Sequence, residues 1–191
     1  MSLKKKFRPL SKKFFKTISV AIIAAVIFLA LLLLCKVFVF PKKYSENVCF
    51  FADKYGVERN FVYSVIKCES SFKENAVSDS GAVGIMQIMP KTADFISENF
   101  FDGKDYDLFN VDINIEFGVR YIAYLYEKFG DKRSVLAAYN AGEGNVKKWL
   151  SDKKYSVDGV RIDITPFAET NDYISRVMTV ERIYGILYGS E

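Results

Sequence analysis

The sequence predicts a mainly α-helical domain preceded by a single N-terminal membrane-spanning helix. Three observations predict it. Ile18–Cys35 is an apolar run interrupted only by Ser19. From Tyr44 onward apolar residues recur at helical spacing. Only Tyr155–Ile164 has any strand character, through Tyr155-Ser156-Val157 and Val160-Arg161-Ile162, with room for a small hairpin across Asp158-Gly159.

The chain opens on a basic tail, residues 1–17. Lys4, Lys5, Lys6, Arg8, Lys12, Lys13 and Lys16 precede the apolar run without one acid, and with Lys36 they bring residues 1–40 to +8. The span is residues 18–40: it resumes after Lys36 as Val37-Phe38-Val39-Phe40 and stops at Pro41. At about 1.5 Å per residue it reaches roughly 27–35 Å, enough to cross a bilayer core. Val20–Leu34 lacks the polar face of a soluble core helix. The run exceeds the roughly 7–15 residues of a cleavable signal core, and no small-x-small site follows it. Cys35 follows four leucines, not the small residues expected before a lipid-modified cysteine. A retained signal anchor is expected. The positive-inside rule puts the N-terminus in the cytoplasm and residues 41–191 outside the cytoplasmic membrane.

The domain, residues 41–191, reads as a series of helices. Tyr44–Tyr55 is the first, stopped by Gly56. Arg59–Ser70 is the second, with Phe61, Val62, Val65 and Ile66 on one stripe. Pro90 suits the first turn of a third, which runs through Phe95 and Ile96. Ile113–Phe129 is a fourth, with Phe117, Tyr121, Tyr124 and Leu125 inward and Gly130 as its stop. Arg133–Tyr139 and Asn145–Leu150 read as short helices around an Asn140-Ala141-Gly142 break. Thr165-Pro166 reads as the N-cap and first-turn pair of a last helix that ends near Tyr188.

Composition narrows the chemistry. The chain has 191 residues, a net charge of +4, three cysteines and no histidine. Without histidine there is no Ser-His-Asp or Cys-His nucleophile, and three cysteines cannot make a Cys₄ zinc site. No metal or cofactor is expected. Acid–base work falls to Asp, Glu, Lys, Tyr or Cys. The +4 is itself composite, because residues 41–191 hold 19 bases against all 23 acids, or −4. The basic tail is therefore a topology signal, and no nucleic-acid partner is expected.

Glu69 is the candidate catalytic residue. It lies four after Val65 and three after Ile66, so it extends the apolar stripe. Desolvation there raises a carboxyl's affinity for its proton, as a general acid in glycoside cleavage requires. Position alone also fits a helix-end carboxylate swung out to solvent.

The surrounding motifs decide between the two. The chain reads Val65-Ile-Lys-Cys-Glu69-Ser-Ser-Phe72, Ala76-Val-Ser78, Gly81-Ala-Val-Gly84-Ile-Met-Gln87-Ile-Met-Pro90 and Thr92-Ala93. Then come Leu108-Phe-Asn110, Asp112-Ile-Asn114, Gly118, Tyr121, Ala137-Ala-Tyr139-Asn140-Ala-Gly142, Phe167-Ala-Glu169-Thr170 and Tyr173. This series resembles the catalytic domain of soluble-lytic-transglycosylase-type (SLT) peptidoglycan enzymes, a branch of the lysozyme-like superfamily, over about residues 44–188. The resemblance implies a lysozyme-like helical domain acting on peptidoglycan glycan strands.

It also implies a mechanism. A single glutamate, matching Glu69, protonates the oxygen between N-acetylmuramic acid and N-acetylglucosamine, and the substrate's acetamido group supports the cationic centre. The same glutamate then takes the proton of the C6 hydroxyl, whose attack leaves a 1,6-anhydro end. Ser78, Gln87, Met89, Tyr139, Asn140, Glu169 and Tyr173 are implied as the substrate-binding cleft.

The residues themselves admit both functional and structural readings. Gly81 and Gly84 suit a tight turn or close approach to a sugar, and Gln87 offers an amide donor and acceptor. Met86 and Met89 suit an apolar floor or core filling. Tyr139 and Asn140 suit glycan contacts or a helix end, and Glu169 sits where a helix dipole favours an acid. Whether Glu169 or Asp79 lies within two-carboxylate distance of Glu69 is open at this point. Cys68 departs from the family pattern, where a polar residue usually precedes the glutamate. Two free thiols, Cys49 and Cys68, are expected in preference to a disulfide. The alternatives are a lysozyme-like muramidase that admits water, and a non-catalytic wall-binding subunit of an envelope machine.

Overall fold

The computed structural model describes residues 12–189, so Lys4, Lys5, Lys6 and Arg8 of the expected tail lie outside the described residues. The chain divides into two compact units, residues 1–41 and 42–191.

In the first unit, helix α1 (Lys12–Leu34) passes into a wider π-helical turn over Cys35–Val39. Phe40 N–H closes that turn on the Cys35 carbonyl at 3.0 Å. Ile22, Val26, Phe28, Leu31 and Leu33 are all exposed, so the helix is apolar around its circumference and uncovered by protein. Lys16–Val39, 24 residues, is long and apolar enough to cross a membrane.

The second unit is helical, with no strand among the described residues. Its helices are α2 (Ser45–Tyr55), α3 (Arg59–Glu69), α4 (Pro90–Phe100), α5 (Val111–Phe129), α6 (Lys132–Ala141), α7 (Glu143–Leu150) and α8 (Ala168–Tyr188). Helix α3 is the axis of the unit. Asn60 through Ile66 are buried without interruption, so more than the predicted stripe is covered. Helix α8 packs along α3, α2 lies across α3 and α5, and α6 joins α5, α7 and α8. Full burial of side chains such as Phe61, Val62 and Ile66 contributes roughly 1.5–3 kcal/mol each.

Several boundaries follow from caps rather than hydrophobic spacing. Asn110 Oδ1 accepts the N–H groups of Asp112 and Ile113, so α5 begins two residues before Ile113. Asp131 caps α6 in the same way through Arg133 and Ser134. The amide of Gly56 closes α2 in the left-handed conformation. Lys42, in the link, holds its ammonium 5.2 Å from the Tyr63 ring centroid and 4.6 Å from that of Tyr188.

Two expectations are corrected. The last helix starts at Ala168, not at Thr165-Pro166. Thr165 is held in a closed loop instead: its N–H donates to Asn171 Oδ1 at 2.8 Å, and its carbonyl accepts Asn171 Nδ2 at 2.9 Å. The hairpin across Asp158-Gly159 does not form. Asp158 Oδ1 accepts the N–H groups of Val160 and Arg161, both at 2.8 Å, and this local turn competes with strand pairing.

Candidate active site

Glu69 is the last residue of α3, at the negative end of the helix dipole. Its carboxyl is largely enclosed, and burial pushes its pKa up to about 7. Two neighbours pull the other way. The Tyr173 hydroxyl donates to Oε1 at 2.6 Å, and the Arg176 guanidinium attracts the charged form. No second carboxylate is among the described groups that act on Glu69. Asp79 and Glu169 are both exposed to solvent.

Tyr173 is buried, and Tyr139 flanks the same carboxyl from α6. Burial, followed by the Glu69 charge, raises both phenols well above their ordinary value. Each therefore stays a neutral hydrogen-bond donor at any working pH. The result is an acid poised near neutrality, hydrogen-bonded from α8 by Tyr173 and neighboured from α6 by Tyr139.

The loop from Ser70 to Met89 forms the adjoining wall. Ser70 Oγ ties it to the end of α3 by donating to the Ile85 carbonyl at 2.7 Å. Val83 pairs in isolated antiparallel bridges with Val77 and Ile88. At the centre stands Asn114 of α5, fully buried. Its Nδ2 donates to the carbonyls of Val83 at 3.0 Å and Leu108 at 2.8 Å, and its Oδ1 accepts Met86 N–H at 2.8 Å. Gly84 makes this possible. It has φ +81°, and a Cβ there would lie 2.6 Å from the Leu108 oxygen and from Asn114 Cγ. The close approach at Gly84 is thus to Asn114, with Gly81 supplying a turn at φ +86°.

The remaining candidates fall around this loop. Ser78 Oγ accepts Ala82 N–H at 2.9 Å, so its hydroxyl holds a turn. Gln87 sits at φ 50° and commits its amide donors to the carbonyls of Ala76 and Gly84. Its Oε1 is the end available to a hydroxyl or N–H. The two methionines separate: Met86 is buried against Gly118, whereas Met89 is 39% exposed just before α4.

Tyr139 and Asn140 lie in the last turn of α6, because α6 continues through Ala141. The Tyr139 hydroxyl donates to the Met86 carbonyl at 2.8 Å, fastening the loop to α6. Asn140 Oδ1 accepts the Thr170 hydroxyl at 2.8 Å, which ties α6 to the first turn of α8 beside Glu169. Tyr139 also touches the Tyr121 ring, with centroids 5.7 Å apart. Beyond it opens a cavity of about 390 Å³ lined by Lys91, Thr92, Phe95, Tyr121, Tyr124 and Glu143. A larger cavity, about 660 Å³, lies among Glu58, Lys132 and Glu181. It borders the start of α3, roughly 15 Å along the helix from Glu69.

Ser70, Asn114, Thr170 and Arg176 are the residues that sequence reasoning missed. Ser70, Asn114 and Thr170 stand within the motifs that carry the resemblance, and Arg176 lies three positions after Tyr173, on the same helical face. Cys35, Cys49 and Cys68 are free thiols. Burial pushes the Cys68 thiol up, against the pull of Arg176.

The chain is similar to known proteins of one family. Residues 47–158 match the family model "Transglycosylase SLT domain". The chain is 31% identical over 158 residues to the soluble lytic murein transglycosylase of Salmonella typhimurium, covering 80% of this chain and 24% of that protein. It is 30% identical to the membrane-bound lytic murein transglycosylase C of Actinobacillus pleuropneumoniae, covering 72% of this chain and 40% of the relative. Among solved structures, an inactive mutant of the lytic transglycosylase Slt from Pseudomonas aeruginosa superposes with a TM-score of 0.68 at 30% identity, covering 80% of this chain and 25% of that one. The 70 kDa soluble lytic transglycosylase of Escherichia coli superposes with a TM-score of 0.69 at 29% identity, covering 79% of this chain and 25% of its own. The chain thus spans about a quarter of the length of the soluble relatives it matches.

Proposed function

From the fact that the chain belongs to the transglycosylase SLT family, we propose that it is a membrane-anchored lytic transglycosylase of peptidoglycan. The observation that carries the reading is the Glu69 carboxyl, largely buried, held at 2.6 Å by Tyr173 and pushed up to about 7. Such a group is protonated for a useful fraction of the time at neutral pH and can both give and regain a proton. No carboxylate is among the described groups that act on it, which fits a nucleophile supplied by the substrate itself.

The steps balance without water. Protonated Glu69 donates to the glycosidic oxygen between N-acetylmuramic acid and N-acetylglucosamine as the C1–O bond breaks. The substrate's acetamido oxygen supports the electron-poor C1. Ionised Glu69 then removes the C6 hydroxyl proton, O6 bonds to C1, and the 1,6-anhydro ring closes. An attached hydroxyl has an effective concentration that bulk water cannot match. Tyr173 stabilises the ionised stage by donating to Oε1. Ser78, Gln87, Met89, Tyr139, Asn140, Glu169 and Tyr173 are proposed to line the cleft.

The topology proposed is residues 1–17 in the cytoplasm, 18–40 in the cytoplasmic membrane and 41–191 as the outer catalytic domain. The uncovered apolar helix and the charge asymmetry support it. Protease protection of a tag on each end, in spheroplasts, tests the orientation.

The function is tested by incubating the protein and its Glu69→Gln variant with purified cell walls. The wild type releases muropeptides with anhydro ends and the variant releases none; unchanged release from the variant would sink the assignment. Products heavier by one water would instead identify a muramidase.

A further inference from the structure

We propose that Arg176 is a positioning residue for the acid: held by α8 against the end of α3, its guanidinium stabilises Glu69 once the carboxyl has given up its proton. This rests on the lytic transglycosylase reading and assigns a role to a residue outside the expected cleft.

The geometry comes from α8. Tyr173 and Arg176 are three residues apart and share the helical face that packs along α3. The guanidinium carbon lies 5.9 Å from the Tyr173 ring centroid, while the hydroxyl of that ring reaches Glu69. The charge of the same guanidinium also bears on Cys68, the residue beside Glu69.

Charge accounting gives Arg176 its role. The groups around Glu69 are Tyr173 and Arg176 from α8, Tyr139 from α6, and Cys68 on α3 itself. Both phenols and the thiol are pushed up by burial and stay neutral near pH 7. Lys67 also lies on α3, and its charge bears on Cys68. Arg176 is the one ionic group among the described residues that act on Glu69. An acid that must become a base within one turnover needs its ionised state within reach. Enclosure works against that state, and Arg176 offsets part of the cost. Because Arg176 is exposed, solvent screens the effect and keeps it moderate.

The sign follows directly. A cation beside a carboxyl favours proton loss, so removing it keeps Glu69 protonated to higher pH. The test compares kcat and kcat/KM on purified peptidoglycan, from pH 5 to 9, for the full chain in detergent and for Arg176→Gln and Arg176→Lys. Arg176→Gln should move the alkaline limb of kcat/KM up by about 0.5–1 pH unit and lower kcat roughly three- to tenfold with KM little changed. Arg176→Lys, which keeps the charge, should return the limb most of the way. A limb that coincides with wild type in Arg176→Gln, or a lysine variant that behaves like glutamine, overturns the proposal. Titration of the ¹³C-labelled Glu69 carboxyl by NMR reads the same shift without turnover. It separates failure of this proposal from failure of the assigned reaction, and Arg176→Lys covers the case in which Arg176→Gln does not fold.

Discussion

Tyr173 and Glu69 are 104 positions apart in the chain, yet the Tyr173 hydroxyl lies 2.6 Å from Glu69 Oε1. The bond joins the end of α3 to the second turn of α8, and it is the only hydroxyl contact the carboxyl makes among the described residues. Tyr173→Phe should cut kcat about 10- to 100-fold, the worth of a hydrogen bond to a charged group. Losing a bond that favours ionisation should also raise the pKa of Glu69 and move the alkaline limb upward. A pH–rate series on the variant, with its melting temperature as a control, checks both outcomes.

Glu69 itself costs stability, and pH controls how much. Its folded-state pKa, about 7, lies above the value of 4.5 for an unperturbed glutamate. The penalty is absent below about pH 4.5, grows as pH rises to about 7, and is constant above that. Glu69→Gln removes the ionisation and can still accept from Tyr173. Its stabilisation relative to wild type should be small at pH 4.5 and reach at most about 3 kcal/mol at pH 8. Urea titrations at the two pH values measure the difference.

Asn114 should behave as a structural lock. Asn114→Ala strands Met86 N–H and the Leu108 carbonyl in the core and leaves the Val83 carbonyl with Ile88 N–H alone, a loss of about 2–5 kcal/mol. Gly84→Ala should be of similar size, since its Cβ meets backbone at a left-handed φ. Both variants should lose activity together with amide protection in residues 76–88, as hydrogen exchange would record.

Reduction should leave the fold unchanged. All three cysteines are free, so a thiol titration of the denatured protein without reductant should count three. The melting temperature should not respond to a reducing agent.

How far the sequence could be read depends on where the information lies. The periodicity of Phe61, Val62, Val65 and Ile66 was enough to locate α3 and to aim Glu69 inward, because burial writes itself into spacing. The apolar run from Ile18 was legible for the same reason. Asn114 was not: a polar side chain inside α5 looks like an exposed one until its three backbone partners, 6 to 31 residues away, are known. Thr165-Pro166 misled because the pair fits a helix start, whereas the bonds to Asn171 hold it in a loop. Arg176 shares a helical face with Tyr173, but that this face meets the end of α3 depends on a helix interface that no local pattern encodes.

The unbroken burial of Asn60 through Ile66 also constrains the geometry of the reaction. Glu69 lies three residues beyond that buried run, so the backbone that carries the acid is anchored in the core. Within the proposed reaction, the glycan must therefore do the travelling. A glycosidic oxygen has to be brought into register with the Glu69 carboxyl, so placement of the strand, and no displacement of α3, selects the bond that is cleaved.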